Sequence, residues 1–242
     1  MESVSPFCLC VAGGSGSGKT TLARGLASRF HIKNWISPDG MADGQQSAQV
    51  ENAFAVGRAL RVRYAIDLAD FGFETAFSHE SNVSFLRSLK LAGYEVNLYF
   101  VSTSDPVING HRVGNRAYLG GHSISADKVA ARYLRALQNL SSATKFCDRI
   151  VVFENSLVGD VGVICDLRND SQTKRRSVES VKTPPEWVRQ YALNPFLEAS
   201  SDGFVFRAIA STDRPARQHL FESFLIDLAR ASARVGERGT DK

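Results

Sequence analysis

The stretch Gly13-Gly-Ser-Gly-Ser-Gly-Lys-Thr20 restricts the fold of this chain more than any other segment. It fits G-x-x-x-x-G-K-S/T and lies between two segments of different period. Before it runs Phe7-Cys-Leu-Cys-Val-Ala12, an apolar run of buried-strand length. After it, Leu22, Leu26 and Phe30 recur at helical spacing. Strand, glycine loop and helix in that order is the context that gives the motif its meaning. Glycines let a backbone fold tightly around a phosphate chain with N–H groups turned inward. The following helix presents its positive end to the same anion. The expected phosphate-binding set is therefore Gly13, Gly14, Ser15, Gly16, Ser17, Gly18, Lys19, Thr20 and Thr21. Within it Lys19 would reach the β- and γ-phosphates of ATP or GTP, and the Thr20 hydroxyl would meet Mg²⁺.

The 242 residues suffice for one large domain or a core with a small appendage. A net charge of +4 suits anionic small molecules but is too mild to argue for nucleic acid. No apolar run approaches the ~18 residues of a membrane helix, and no charged-then-apolar leader opens the chain. A cytoplasmic protein without a membrane partner is expected. Cys8, Cys10, Cys147 and Cys165 have no metal-ligand spacing and read as reduced core thiols.

Further along, Asn34–Ser37 is a short apolar segment ending in Pro38-Asp39-Gly40. A long helix is expected over 48–69, with Val50, Phe54, Leu60, Tyr64 and Leu68 toward the sheet. Phe71–Thr75 reads as a strand ending on a carboxylate, 82–91 as a helix and Tyr94–Val101 as a strand. Pro106 can open a helix running to about Tyr118, which Gly120-Gly121-His122 breaks. Val129, Tyr133, Leu134, Leu137 and Leu140 form one helical stripe, and Arg149–Phe153 is a buried strand. Strands alternating with helices indicate an α/β fold, a parallel sheet sandwiched by helices. Its ligand cleft lies beyond the carboxyl ends of the strands, where Gly13, Asp39, Glu74 and Ser102 should converge. The core is expected over 1–165. The polar stretch 166–182, with Lys174-Arg175-Arg176, reads as a solvated linker. A C-terminal helix beginning near Pro215 would pack back on the core through Leu220, Phe221, Phe224, Leu225 and Leu228, leaving 236–242 frayed.

Phosphoryl transfer to a hydroxyl needs a carboxylate near the acceptor oxygen and cations around the transferring group. Asp39 is placed to orient or deprotonate the acceptor, although aspartate is also favoured in turns. Glu74 would be costly at the edge of an apolar strand without a partner. Mg²⁺ through its water shell, a substrate hydroxyl or a nearby arginine could serve. Arg112 and Arg116 project from one helix face at i, i+4. With Arg132 and Arg135 beyond the glycine break, they suggest a lid over phosphates, while Lys128 on the same stripe reads as a solvated face. His79 and His122 lack a metal-ligand pattern.

The ordered set of Gly-Gly-Ser-Gly-Ser-Gly-Lys-Thr-Thr-Leu-Ala, Pro38-Asp39, Phe73-Glu74-Thr75, Ala92-Gly93-Tyr94-Glu95-Val96 and His111-Arg112-Val113 resembles the zeta toxin family of P-loop kinases. The fuller strings FGFETAFS, AGYEVNLYFVSTSDP and RVGNRAYLGGHSIS are similar to a bacterial subgroup labelled predicted ATPases. The likeness spans roughly 7–156. It implies a kinase transferring the γ-phosphate of Mg-ATP to a substrate hydroxyl. The family's nucleotide-sugar acceptor, UDP-N-acetylglucosamine, is the first to try. It also implies Asp39 as catalytic base, Glu74 and Thr75 at the substrate or metal shell, and Arg112 on the transferred phosphate. The family's second arginine falls where this chain reads Gly-Gly-His-Ser-Ile-Ser125, so Arg116 or Arg132 would have to substitute. Two other readings stand beside this one: a non-catalytic nucleotide-binding regulatory module, and the toxin kinase of a toxin–antitoxin pair with an antitoxin protein as partner.

Overall fold

The computed structural model describes residues 5–30, 32–38, 47–118, 124–157, 161–170, 173, 175–199 and 204–209. Eight strands form one sheet in the order β2-β3-β1-β4-β5-β6-β7-β8. The first five are β1 (Phe7–Ala12), β2 (Trp35–Ile36), β3 (Phe71–Thr75), β4 (Glu95–Ser102) and β5 (Arg149–Glu154), all parallel. Five helices accompany them: α1 (Lys19–Phe30), α2 (Ser47–Ile66), α3 (Glu80–Leu91), α4 (Pro106–Tyr118) and α5 (Ala126–Ala143). The expected α/β architecture is the one the chain adopts. Every residue of β1 is buried, as is β4 beyond its first residue, which is why both read as continuous apolar runs.

The order of the parallel strands places the cleft. From β1 the chain moves to one side for β2 and β3, then crosses to the other for β4 and β5. The reversal falls at β1, whose carboxyl end carries the glycine loop, and such a point is where an open α/β sheet leaves a crevice.

Two helices bury stripes that differ in part from those expected. Along α2 the buried or half-buried positions among 51–66 are Ala53, Gly57, Leu60, Arg61, Tyr64 and Ala65, while Phe54 and, past the helix end, Leu68 are exposed. Small residues at 53 and 57 let α2 lie close to β2: a side chain at Gly57 would stand 2.9 Å from the Pro38 ring. Leu68 lies past the helix end in a left-handed turn, φ 51°. On α5 the inward stripe is Val129, Tyr133, Ala136, Leu137, Leu140 and Ala143; Leu134 points to solvent.

The largest correction concerns 166–182. The stretch expected as a linker is sheet: β6 (Gly162–Asp170) and β7 (Arg175–Val181) pair antiparallel, and β6 also pairs antiparallel with β5. The charges that disguised it are paired across strands. Arg149 donates to both carboxylate oxygens of Asp166, at 3.0 and 2.6 Å, and Arg168 adds a third bond at 2.9 Å. A buried carboxylate held this way is tolerated where an unpaired one is not. Arg176, from the basic run, lies over the Phe196 ring and donates to the Phe196 carbonyl oxygen at 2.7 Å. A helical segment follows, Glu186–Val188, a π-helical turn Arg189–Leu193 and Asn194–Glu198, and then β8 (Phe204–Ile209), parallel to β7. The expected helix near Pro215 lies outside the described residues.

All four cysteines are buried and unpaired, and burial pushes each thiol well above its usual range. No helix among the described residues is long and apolar enough to cross a membrane.

Leu167 is fully buried within β6. Leu167→Ala should cost about 2–5 kcal/mol in denaturant unfolding. A loss inside about 0.5 kcal/mol, as for a solvated linker, would contradict the sheet.

Candidate functional site

The glycine loop leaves β1 at Gly13, whose N–H donates to the Thr75 carbonyl oxygen at 3.3 Å, and enters α1 at Lys19. Gly16 and Gly18 hold φ of 81° and 94°, a region L side chains rarely adopt. A side-chain carbon at Gly16 would also stand 2.5 Å from the Asn109 carbonyl oxygen. Ser15, Ser17 and Lys19 are buried, Thr20 is half-buried and Thr21 is exposed. The first N–H groups of α1 have no intrahelical carbonyl to bond, so the loop ends in a set of donors and a positive helix end.

Two asparagines absent from the sequence reading hold the loop from behind. Asn155, just after β5, donates its side-chain N–H to the Ser17 carbonyl oxygen at 2.8 Å. Asn109, in the first turn of α4, is fully buried against Gly14 and Gly16. Its Oδ1 accepts the Thr103 hydroxyl at 2.6 Å, and Tyr133 on α5 donates to the Thr103 carbonyl oxygen at 2.8 Å. The loop is thus braced by β5, α4 and α5 together. Asparagine carries no periodic signal, and only the preference of loops for strand ends could have pointed to Asn155.

Glu74 is 3% exposed at the end of β3, in register with Val11 of β1. Its Oε1 accepts the Ser37 hydroxyl, which draws the end of β2 to the end of β3. Its Oε2 is buried without a partner, and no arginine pairs with it among the described residues. Thr75 is committed to the turn that follows. Its hydroxyl donates to Asn82 and accepts the Phe77 N–H, both at 3.3 Å. Phe77, fully buried, holds a left-handed φ of 55°, a strained conformation for a bulky residue. Asn139 donates to its carbonyl oxygen at 2.8 Å, and its ring packs edge-on against Phe100. His79 is the N-cap of α3: its Nδ1 accepts the Ser81 N–H at 3.2 Å.

Arg112 and Arg116 share a helix face but not an environment. Arg112 is half-buried, donates through Nη2 to the Ser156 carbonyl oxygen at 3.3 Å, and keeps Nη1 buried without a partner. Arg116, a turn further, is exposed, and Arg132 on α5 is half-buried. Asp39 and His122 lie outside the described residues.

Four buried side-chain polar atoms lack a partner among the described residues: Ser17 Oγ, Glu74 Oε2, Asn109 Nδ2 and Arg112 Nη1. Ser17 is part of the loop, Asn109 packs against it, Arg112 follows Asn109 by one turn, and Glu74 adjoins the loop through β1. Buried polar groups in a settled interior are paired. An unpaired group of this kind, collected around one loop, fits a polar ligand. The set suits Mg-ATP. Helix-start donors, Lys19, Asn109 and Arg112 match phosphate oxygens, while the Thr20 hydroxyl and the Glu74 carboxylate match a hydrated divalent ion. No cluster of three acidic, histidine or cysteine side chains among the described residues could cage a metal alone. Such a cage is not needed where phosphates and water complete the shell of Mg²⁺.

No family model and no curated protein matches the chain. Solved structures do. A structure from the PezAT chromosomal toxin-antitoxin system of the human pathogen Streptococcus pneumoniae superposes with a TM-score of 0.52 at 17% identity, over 94% of this chain and 89% of that one. AvrRxo1-ORF1:-ORF2 with ATP gives 0.57 at 14% identity, over 96% and 76%. The same pair with sulphate ions gives 0.57 at 13%, over 96% and 76%. The chain shares their fold.

If Oε2 of Glu74 is kept for a ligand, its carboxylate is a burden on the protein alone. Glu74→Gln should leave stability unchanged or raise it by up to about 1 kcal/mol in denaturant unfolding. A loss of about 2 kcal/mol or more would instead identify Glu74 as a structural partner.

Proposed function

We propose that the protein is an ATP-dependent kinase that transfers the γ-phosphate to a hydroxyl of a small molecule, of the kind found in the zeta toxin family. The observation that carries this reading is the group of unpaired buried polar atoms in and beside the glycine loop: Ser17 Oγ, Asn109 Nδ2, Arg112 Nη1 and Glu74 Oε2.

When bound, Mg-ATP supplies the transferable phosphoryl group and a divalent charge. The chain's own residues do the rest. The loop backbone and the start of α1 hold the phosphates, and Lys19 neutralises charge where it accumulates during transfer. Thr20 orients the metal shell. Arg112, fixed at one end by Ser156, turns its free nitrogen toward the transferred group. Glu74, fixed at one end by Ser37, turns its free oxygen toward the acceptor or the metal's water. Asp39 is assigned the acceptor proton on the strength of the family resemblance. Arg132 is the better candidate than Arg116 for the second arginine, being half-buried on a helix that braces the loop while Arg116 is exposed.

A site for binding alone would not require Glu74, so the regulatory-module reading is weaker. The toxin reading draws support from the likeness to a structure from the PezAT toxin-antitoxin system, and it implies an antitoxin protein as partner. Growth arrest on expression, relieved by Lys19→Ala, separates it from a housekeeping kinase.

The test combines the purified protein, ATP, Mg²⁺ and a metabolite extract supplemented with UDP-N-acetylglucosamine, with mass spectrometry searching for species heavier by one phosphate. Lys19→Ala should lower product formation about 10²–10³-fold, and Asp39→Ala should abolish it. Tight nucleotide binding with no phosphorylated product would overturn the kinase reading.

A further inference from the structure

The three residues that end β5 each do a different job. Glu154 is 8% exposed, and both its carboxylate oxygens accept hydrogen bonds from other residues of the chain. Its Oε1 accepts the Ser156 N–H at 3.0 Å and the Ser156 hydroxyl, closing a tight turn. Its Oε2 accepts the indole N–H of Trp187 at 3.0 Å. Asn155 holds the glycine loop through the Ser17 carbonyl oxygen. Ser156 meets the start of α4, its Oγ accepting the Ser104 N–H at 2.8 Å, and its carbonyl oxygen receives Arg112.

These contacts form one chain of hydrogen bonds from the C-terminal part of the sheet to the loop site. Trp187 sits in the helical segment after β7, 7% exposed and packed near Phe100 of β4. It fixes one oxygen of Glu154, the other oxygen fixes the turn at Ser156, and the turn seats Arg112. Among the described residues no other hydrogen bond sets its guanidinium, and its Nη1 is buried and unpaired. An arginine held at one nitrogen depends for its aim on what holds that nitrogen.

We propose that Glu154 and Trp187 are positioning residues for Arg112, so that the C-terminal segment sets how the site receives a γ-phosphate. The proposal rests on the nucleotide-site reading above for its functional half. Its structural half, the seating of Arg112, does not. Neither residue touches the ligand, so neither is catalytic. A role confined to packing would alter stability without altering the discrimination between ATP and ADP.

The experiment uses the full chain and two variants that keep side-chain volume. In Glu154→Gln the amide nitrogen cannot accept, so one of the bonds to Trp187 or Ser156 is lost. In Trp187→Phe the indole donor is lost while an aromatic ring remains. Arg112→Ala is the reference, and circular dichroism establishes that each variant is folded. The first readout is the side-chain Nε–Hε resonance of Arg112 without nucleotide, which should shift or broaden in both variants. The second is calorimetric affinity for Mg-ATP and Mg-ADP. Both variants should lose about tenfold in the preference for ATP, in step with Arg112→Ala, while ADP affinity stays within about twofold. Lys19→Ala tests the nucleotide site separately: ATP binding unaffected by it would sink that reading while the resonance still decides the seating. An Arg112 resonance unchanged in both variants overturns the proposal. So does an ATP preference equal to that of the unaltered protein.

Discussion

A helix that starts inside a glycine loop presents N–H groups with no carbonyl to meet, and a loop that does so must be held in one shape by something else. Here the holding is done from three directions. Asn155 at the end of β5 takes the Ser17 carbonyl oxygen, Asn109 of α4 fills the space behind Gly14 and Gly16, and the Thr75 carbonyl oxygen takes the Gly13 N–H. Each brace comes from the carboxyl end of a different strand or from the helix after it. The parallel sheet is therefore more than a platform: its strand order decides which residues can reach the loop.

Three side chains in and beside these braces leave one end unused. Asn109 spends its oxygen on Thr103 and keeps its nitrogen. Arg112 spends Nη2 on Ser156 and keeps Nη1, and Glu74 spends Oε1 on Ser37 and keeps Oε2. In each side chain one polar atom is anchored in the protein and another is buried and unpaired. Buried polar atoms without partners cost stability in the protein alone, and a charged ligand would pair them. This is the physical basis for reading a phosphoryl-transfer site here.

Local signals carried the sequence reading a long way. The glycine loop, β3 with its terminal Glu74, and α4 from Pro106 to Tyr118 were all legible, because each rests on a short motif or a clear period. What failed depended on partners far along the chain. Asp166 and Arg168 look like linker charges until Arg149 is placed beside them by the sheet. Phe54 and Leu68 fit a helical stripe on paper, but Ala53 and Gly57 win the inner face because α2 must approach Pro38 closely. The Asn155 brace joins residues 138 apart, and no window of sequence contains both. Arg112 and Arg116 were indistinguishable by spacing, and only burial separates them.

The central claim is that the loop and its braces form a phosphate site whose unpaired atoms await a ligand. Hydrogen–deuterium exchange of the full chain with and without Mg-ATP tests it most directly, because it needs no knowledge of the acceptor. The account predicts slowed exchange in peptides covering 13–22 and 103–112, with little change along β6 and β7. Unchanged exchange across 13–22 at saturating Mg-ATP would contradict it.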